Sequence, residues 1–179
     1  VLLGSIFGLG AMFLASALAT SLAGLLAARI FGGMLAANFA VANAYVADLS
    51  KPEERAKSFG LVGAAFGIGY VIGPMVGGLL GSIDIRLPFY AAAALSVANF
   101  FYGLLLVPES LPPERRKAID WKRATPLASL VGVARLKAVG VLVAVIAVAN
   151  LAQFILHGTW VLYTNFRFGW GPRETGLSL

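Results

Sequence analysis

The sequence predicts an all-α membrane protein, a multi-span bundle of transmembrane helices. Three observations carry this. Hydrophobic residues make up 59% of the chain and charged residues 12%, about half the roughly 25% charge of an ordinary soluble domain. Apolar runs recur at about 20 residues, the length of helix that crosses a hydrocarbon core about 30 Å thick. The breaks between these runs carry the charge, and the basic ones fall mainly on alternate breaks. A closed barrel is the other way to satisfy the backbone in lipid. Its strands alternate apolar and polar residues, and these runs do not.

The elements follow in order. Val1 to Ala19 is an uncharged run, ended by the polar pair Thr20 and Ser21. Leu22 to Val46 is a second span, interrupted only by Arg29. Asp48 to Lys57 is a charged loop. Ser58 to Leu80 is a third span, rich in glycine, and Gly81 to Pro88 a short turn. Phe89 to Val107 is a fourth span. Pro108 to Lys137 is a long charged segment. Ala138 to Tyr163 is a fifth span. Asn165 to Arg173 is a polar turn, and Gly176 onward opens a sixth. With no Met at position 1 and a pattern that stops partway, the expectation is a fragment cut at both ends. No basic region precedes the first run, so it does not read as a signal peptide.

Orientation follows from the basic residues. One set of breaks holds Lys51, Arg55, Lys57, Arg115, Arg116, Lys117, Lys122, Arg123, Arg135 and Lys137; the other holds Arg86, Arg167 and Arg173. Ten against three makes the first side cytoplasmic by the positive-inside rule. The same distribution accounts for the net charge of +6 without a nucleic-acid partner. In the cytoplasmic loop, Ser50-Lys51-Pro52-Glu53 has the form of a capping box with proline in the first turn, which predicts that the third helix starts there. In the long segment, Thr125-Pro126 precedes Leu127, Leu130, Val131 and Ala134. That helical spacing predicts a short amphipathic helix on the membrane surface.

Several chemistries are excluded. The chain has no cysteine and one histidine, His157, so disulfides, thiolate sites and histidine-rich metal sites are absent. There is no Walker-type phosphate loop and no nucleophile elbow. Gly67-Ile68-Gly69 lacks the third glycine of a dinucleotide fingerprint and lies in a span. No carboxylate lies within a span. An enzyme is not expected, and neither a metal nor a cofactor is called for.

What remains are polar and small residues inside the spans. Arg29 is the only charged side chain in one. At the bilayer centre such a charge costs about 2.5–3.5 kcal/mol, and it usually faces an interior path. It lies roughly 10 Å from the outer end of its helix by rise per residue, so snorkelling is the bland alternative. Asn43 falls within about 40° of Arg29 on a helical wheel, and Asn38 lies opposite. Gly69, Gly73, Gly77 and Gly81 repeat every four residues, a smooth stripe that admits a close neighbour helix. Pro74 within it removes a backbone donor and predicts a bend. Asn150, Gln153 and His157 fall within about 60° of one another, a polar stripe that suits either a watered cavity or a helix partner.

Two of these features carry a resemblance. Arg29-Ile30-Phe31-Gly32-Gly33 resembles the fourth-helix motif of the major facilitator superfamily, in which the arginine is associated with proton coupling. Gly69 to Gly78 matches the G-x-x-x-G-P-x-x-G-G motif of the fifth helix in its antiporters. The loop from Ala47-Asp48 through Glu54-Arg55-Ala56 to Phe59-Gly60 is similar to the same group. So are Pro88-Phe89-Tyr90-Ala91-Ala92-Ala93 and Val107-Pro108-Glu109-Ser110. Together they resemble the tetracycline-resistance type of drug:proton antiporter. Gly32 stands where many members have glutamine, and the proton-exchanging acids lie outside this stretch.

The resemblance implies helices three to seven of twelve. Residues 1–107 become four helices of the N-terminal half and 108–137 the cytoplasmic inter-domain linker. Residues 138–179 become the first helix of the C-terminal half and the start of the next. It implies a multi-pass protein of the bacterial inner membrane that exchanges protons for an amphiphilic drug by alternating access. Arg29 takes the proton-coupling role and Gly69, Gly73, Pro74, Gly77 and Gly78 the gating role. Asn43, Asn150, Gln153 and His157 then line the cavity. The rivals are an importer of a sugar or metabolite on the same fold, and a multi-span scaffold that transports nothing.

Overall fold

The structure is a computed structural model that describes residues 1–35, 38–108 and 137–179. Seven helices account for nearly all of them: α1 (Leu2–Leu18), α2 (Leu22–Met34), α3 (Asn38–Leu49), α4 (Arg55–Ile83), α5 (Leu87–Leu106), α6 (Lys137–Phe168) and α7 (Pro172–Ser178). No strand occurs among the described residues. Among the described residues four segments are long and apolar enough to cross a membrane: Leu22–Leu49, Arg55–Ile83, Leu87–Leu106 and Gly140–Phe168. α1 is uncharged and largely apolar but shorter, at 17 residues. The multi-span helical bundle expected from composition is the fold observed. The amphipathic helix expected near Leu127 lies outside the described residues.

The chain divides into two units, Val1–Leu111 with Gly171–Leu179, and Pro112–Trp170. In the first, α1 packs on α5 and on α2. Small residues make those contacts possible. Gly10 of α1 faces Ser96 of α5, Gly103 of α5 faces Leu3, and Phe7 meets Phe100 with ring centroids 5.7 Å apart. This pairing runs antiparallel, as two spans of opposite direction require. Between α1 and α2, Gly8 lies under Leu35 and Gly32 against Met12. A methyl on any of these four glycines would meet a side chain of its neighbour. Among the described residues the buried apolar side chains are few, three alanines (Ala17, Ala28 and Ala93) and Ile6, while leucines, valines and phenylalanines cover the outside. That inversion suits lipid, where burying a large apolar side chain gains little and close packing of small ones gains more.

Turns join the helices at two ends. At one, Ser21 caps α2, its Oγ accepting from Gly24 N–H at 3.1 Å. Arg86, just before α5, donates from Nη2 to Ala19 O at 3.4 Å. Asp84 Oδ1 accepts from Arg86 N–H at 2.7 Å. At the other end, Tyr45 Oη donates to Pro108 O at 2.9 Å and Arg55 Nη2 to Ala47 O at 3.4 Å. The predicted capping box at Ser50 does not form. Residues 52–54 make a turn instead, with Glu54 N–H bonded to Lys51 O, and α4 begins at Arg55. α4 then runs 29 residues without interruption through Pro74.

The second unit is described through α6 and the turn that ends it. α6 continues past Tyr163 to Phe168. Gly169 stops it, at φ +67°, with its N–H bonded to Asn165 O at 2.9 Å. This is the left-handed C-cap that glycine adopts without strain. Asn165 Nδ2 donates to Trp170 O at 3.1 Å and fastens the turn. A ladder of rings runs through it, Trp160 to Tyr163, Tyr163 to Phe168 and Phe168 to Trp170. Aromatic rings of this kind favour the level of lipid headgroups.

Candidate functional site

Arg29 sits seven residues into α2 and is exposed, its guanidinium carbon 5.7 Å from the centre of the Phe89 ring at the start of α5. That is within cation–π range, a contact worth about 0.5–2 kcal/mol. An intramembrane arginine costs about 2.5–3.5 kcal/mol on insertion scales. The ring therefore offsets only part of the cost, and water, headgroups or an anion must supply the rest.

Asn43, on α3, is half-buried and donates from Nδ2 to Phe39 O at 3.0 Å, one turn back on its own helix. The wheel places Arg29 and Asn43 on one face of a single span. In the structure the two side chains take different partners, Phe89 for Arg29 and the Phe39 carbonyl for Asn43.

The glycine-rich helix gives the most specific geometry, on a face that shares only Gly81 with the four-residue repeat. At Gly69, Gly73 and Gly77 an added methyl would meet nothing within 4 Å. At Gly78 it would fall 2.5 Å from Pro172 O and 2.9 Å from Gly176 Cα. A methyl on Gly176 would meet Pro74 O and come 2.7 Å from Gly78 Cα. Gly81 adds a looser contact, 3.5 Å from Pro172 Cβ. Pro74, Gly78 and Gly81 thus form the face on which α7 lies, backbone against backbone, with Gly78 buried. That face is about 100° from the Gly69–Gly73–Gly77 stripe, one residue step on a helix. Of the five motif residues, Pro74 and Gly78 come together with α7, and Gly69, Gly73 and Gly77 do not. Gly176 and Pro172 were missed by the sequence reading. Their signal, a small residue four positions after a helix-starting proline, is too common to stand out without its partner.

Asn150 and His157 of α6 each bond a carbonyl of their own helix. Asn150 Nδ2 donates to Ile146 O at 2.8 Å. His157 Nδ1 lies 2.7 Å from Gln153 O. A carbonyl oxygen only accepts, so Nδ1 carries the hydrogen in that contact. Asn150 and Gln153 are exposed and His157 is half-buried. Among the described residues no group of three His, Cys, Asp or Glu side chains forms a metal site.

Comparison with known proteins sets this arrangement in context. The family model described as Major Facilitator Superfamily matches residues 1–179. The chain is 38% identical over 179 residues to the class C tetracycline resistance protein of Escherichia coli, covering 100% of this chain and 45% of that protein. It is 36% identical over 179 residues to the class D protein of Salmonella ordonez, with the same coverage. It is 33% identical over 180 residues to the class B protein of Escherichia coli, covering 100% of this chain and 44% of that protein. The chain therefore spans a little under half the length of these relatives.

Proposed function

The chain belongs to the Major Facilitator Superfamily, and from that membership we propose that it is the central part of a proton-driven drug exporter of the tetracycline type. The observation that carries the reading is the alignment of the whole chain with tetracycline resistance proteins at 32–38% identity. The α4–α7 crossing supports it. A helix pair packed through Pro74, Gly78 and Gly176 has no side chains between the backbones, so it closes tightly and separates without unlocking interdigitated rotamers. Such a crossing suits a gate in a transporter whose halves rock around a midplane cavity. Gly69, Gly73 and Gly77 then offer the same helix a second smooth surface.

Arg29 takes the coupling role. A guanidinium within a span favours the ionised form of a nearby carboxyl, and so sets when an acid of the bundle holds its proton. Asn43, Asn150, Gln153 and His157 are assigned to the cavity wall, where Asn43, Asn150 and His157 exchange their i−4 carbonyl partners for substrate polar groups. The chain's residues 1–107 belong to the first half of the transporter, 108–137 to its cytoplasmic linker and 138–179 to the second half.

The test is proton-driven tetracycline efflux by the full-length protein in inverted vesicles. Arg29→Ala is expected to abolish accumulation against a gradient while leaving the protein in the membrane. Undiminished efflux would remove the coupling role. The arginine's exposure and its stack on Phe89 favour one rival, a scaffold in which Arg29 merely snorkels. That rival predicts no proton-driven efflux even from the unaltered full-length protein.

A further inference from the structure

We propose that Phe89 is a positioning residue for Arg29, giving the guanidinium a defined resting place at the outer end of the bundle; this rests on the coupling role proposed above. Depth is the first argument. Arg29 lies seven residues inside α2, roughly 10 Å by helix rise, whereas Phe89 is only two residues inside α5. The turns before both helices are at the same end, because Arg86 Nη2 bonds Ala19 O. A guanidinium 5.7 Å from the Phe89 ring has therefore turned outward, away from the middle of the membrane.

Competition is the second argument. A ring quadrupole attracts a cation less strongly than an ionised carboxylate does. When the acid partner of Arg29 is ionised, the salt bridge wins. When that acid is protonated, the ring face is the better of the two sites. Phe89 would thus define where the arginine goes when the proton is bound, and keep it from re-pairing early. Arg29 is the cation recorded over the ring. α1 carries no ionisable side chain, Asp84 accepts from Arg86 N–H, and Arg86 donates to Ala19 O.

The experiment uses the full-length transporter with para-fluorophenylalanine at position 89. Its fluorine NMR resonance is expected to shift when Arg29→Met is added; an unmoved resonance overturns the contact. In transport, Phe89→Leu is expected to lower the maximal rate of proton-driven efflux about fivefold, the equivalent of a contact near 1 kcal/mol. The drug KM should stay unchanged, and Phe89→Tyr should restore the rate. Should Phe89→Leu fold poorly, trifluorophenylalanine at 89 keeps the shape and removes the ring's negative face, and the same rate loss is expected. Equal rates for phenylalanine and the trifluorinated ring overturn the positioning role. If Arg29→Ala is also silent, the failure belongs to the coupling reading; if Arg29→Ala abolishes efflux, it belongs to Phe89.

Discussion

Gly78 and Gly69 look alike in the sequence, each a glycine of one motif, yet their surroundings differ completely. Gly78 is buried against Gly176 and Pro172, while nothing lies within 4 Å of where a Gly69 side chain would start. Gly78→Val should therefore force α4 and α7 apart, with an overpacking cost of about 1–3 kcal/mol. Gly69→Ala should stabilise the helix slightly, by up to about 1 kcal/mol from propensity alone. Thermal unfolding of the purified full-length protein separates the two: a lowered midpoint for Gly78→Val and an unchanged or raised one for Gly69→Ala. Equal midpoints would deny the crossing. The motif was legible as a close-packing helix. Which of its glycines makes the contact was not, since that depends on a partner almost a hundred residues away.

The helices themselves were legible to within a few residues, and the departures have local causes. Ser50 to Glu53 fits a capping box by pattern, but residues 52–54 adopt a turn and α4 starts at Arg55. A cap that does form is Ser21, whose hydroxyl accepts from Gly24 N–H. Ser21→Ala should cost about 1 kcal/mol, seen as faster hydrogen exchange in the first turn of α2. Polarity after Tyr163 suggested an early end to α6. Asn165 and Arg167 are nevertheless helical, because a helix emerging into the headgroup region can turn polar without unwinding. Gly169 ends it by its backbone. Gly169→Ala places a Cβ in the left-handed region and should cost about 1 kcal/mol, with exchange accelerating over residues 164–170 only.

Across the whole molecule, sidedness gives the most direct check. The chain has no cysteine, so single cysteines at Lys51 and Ile85, both exposed, report their side. In a full-length protein whose other cysteines have been removed, Ile85→Cys should react with an impermeant thiol reagent from outside intact cells. Lys51→Cys should react only after the membrane is opened. Reaction of both from outside would reverse or break the orientation drawn from the basic residues.

The sequence by itself determined the solvent, the helical class and the succession of apolar helices. Those depend on composition and on period along the chain, which lipid thickness reads locally. The family, too, was legible, because its motifs lie within single helices. The tertiary structure decided which small residues meet: Gly8 with Leu35, Gly10 with Ser96, Gly78 with Gly176. It also decided that Arg29 lies over Phe89. The physical reason is that apolar surface does not sort helices in a hydrocarbon solvent. Their pairing is set by shape complementarity between distant segments, a property of two surfaces together that neither displays alone.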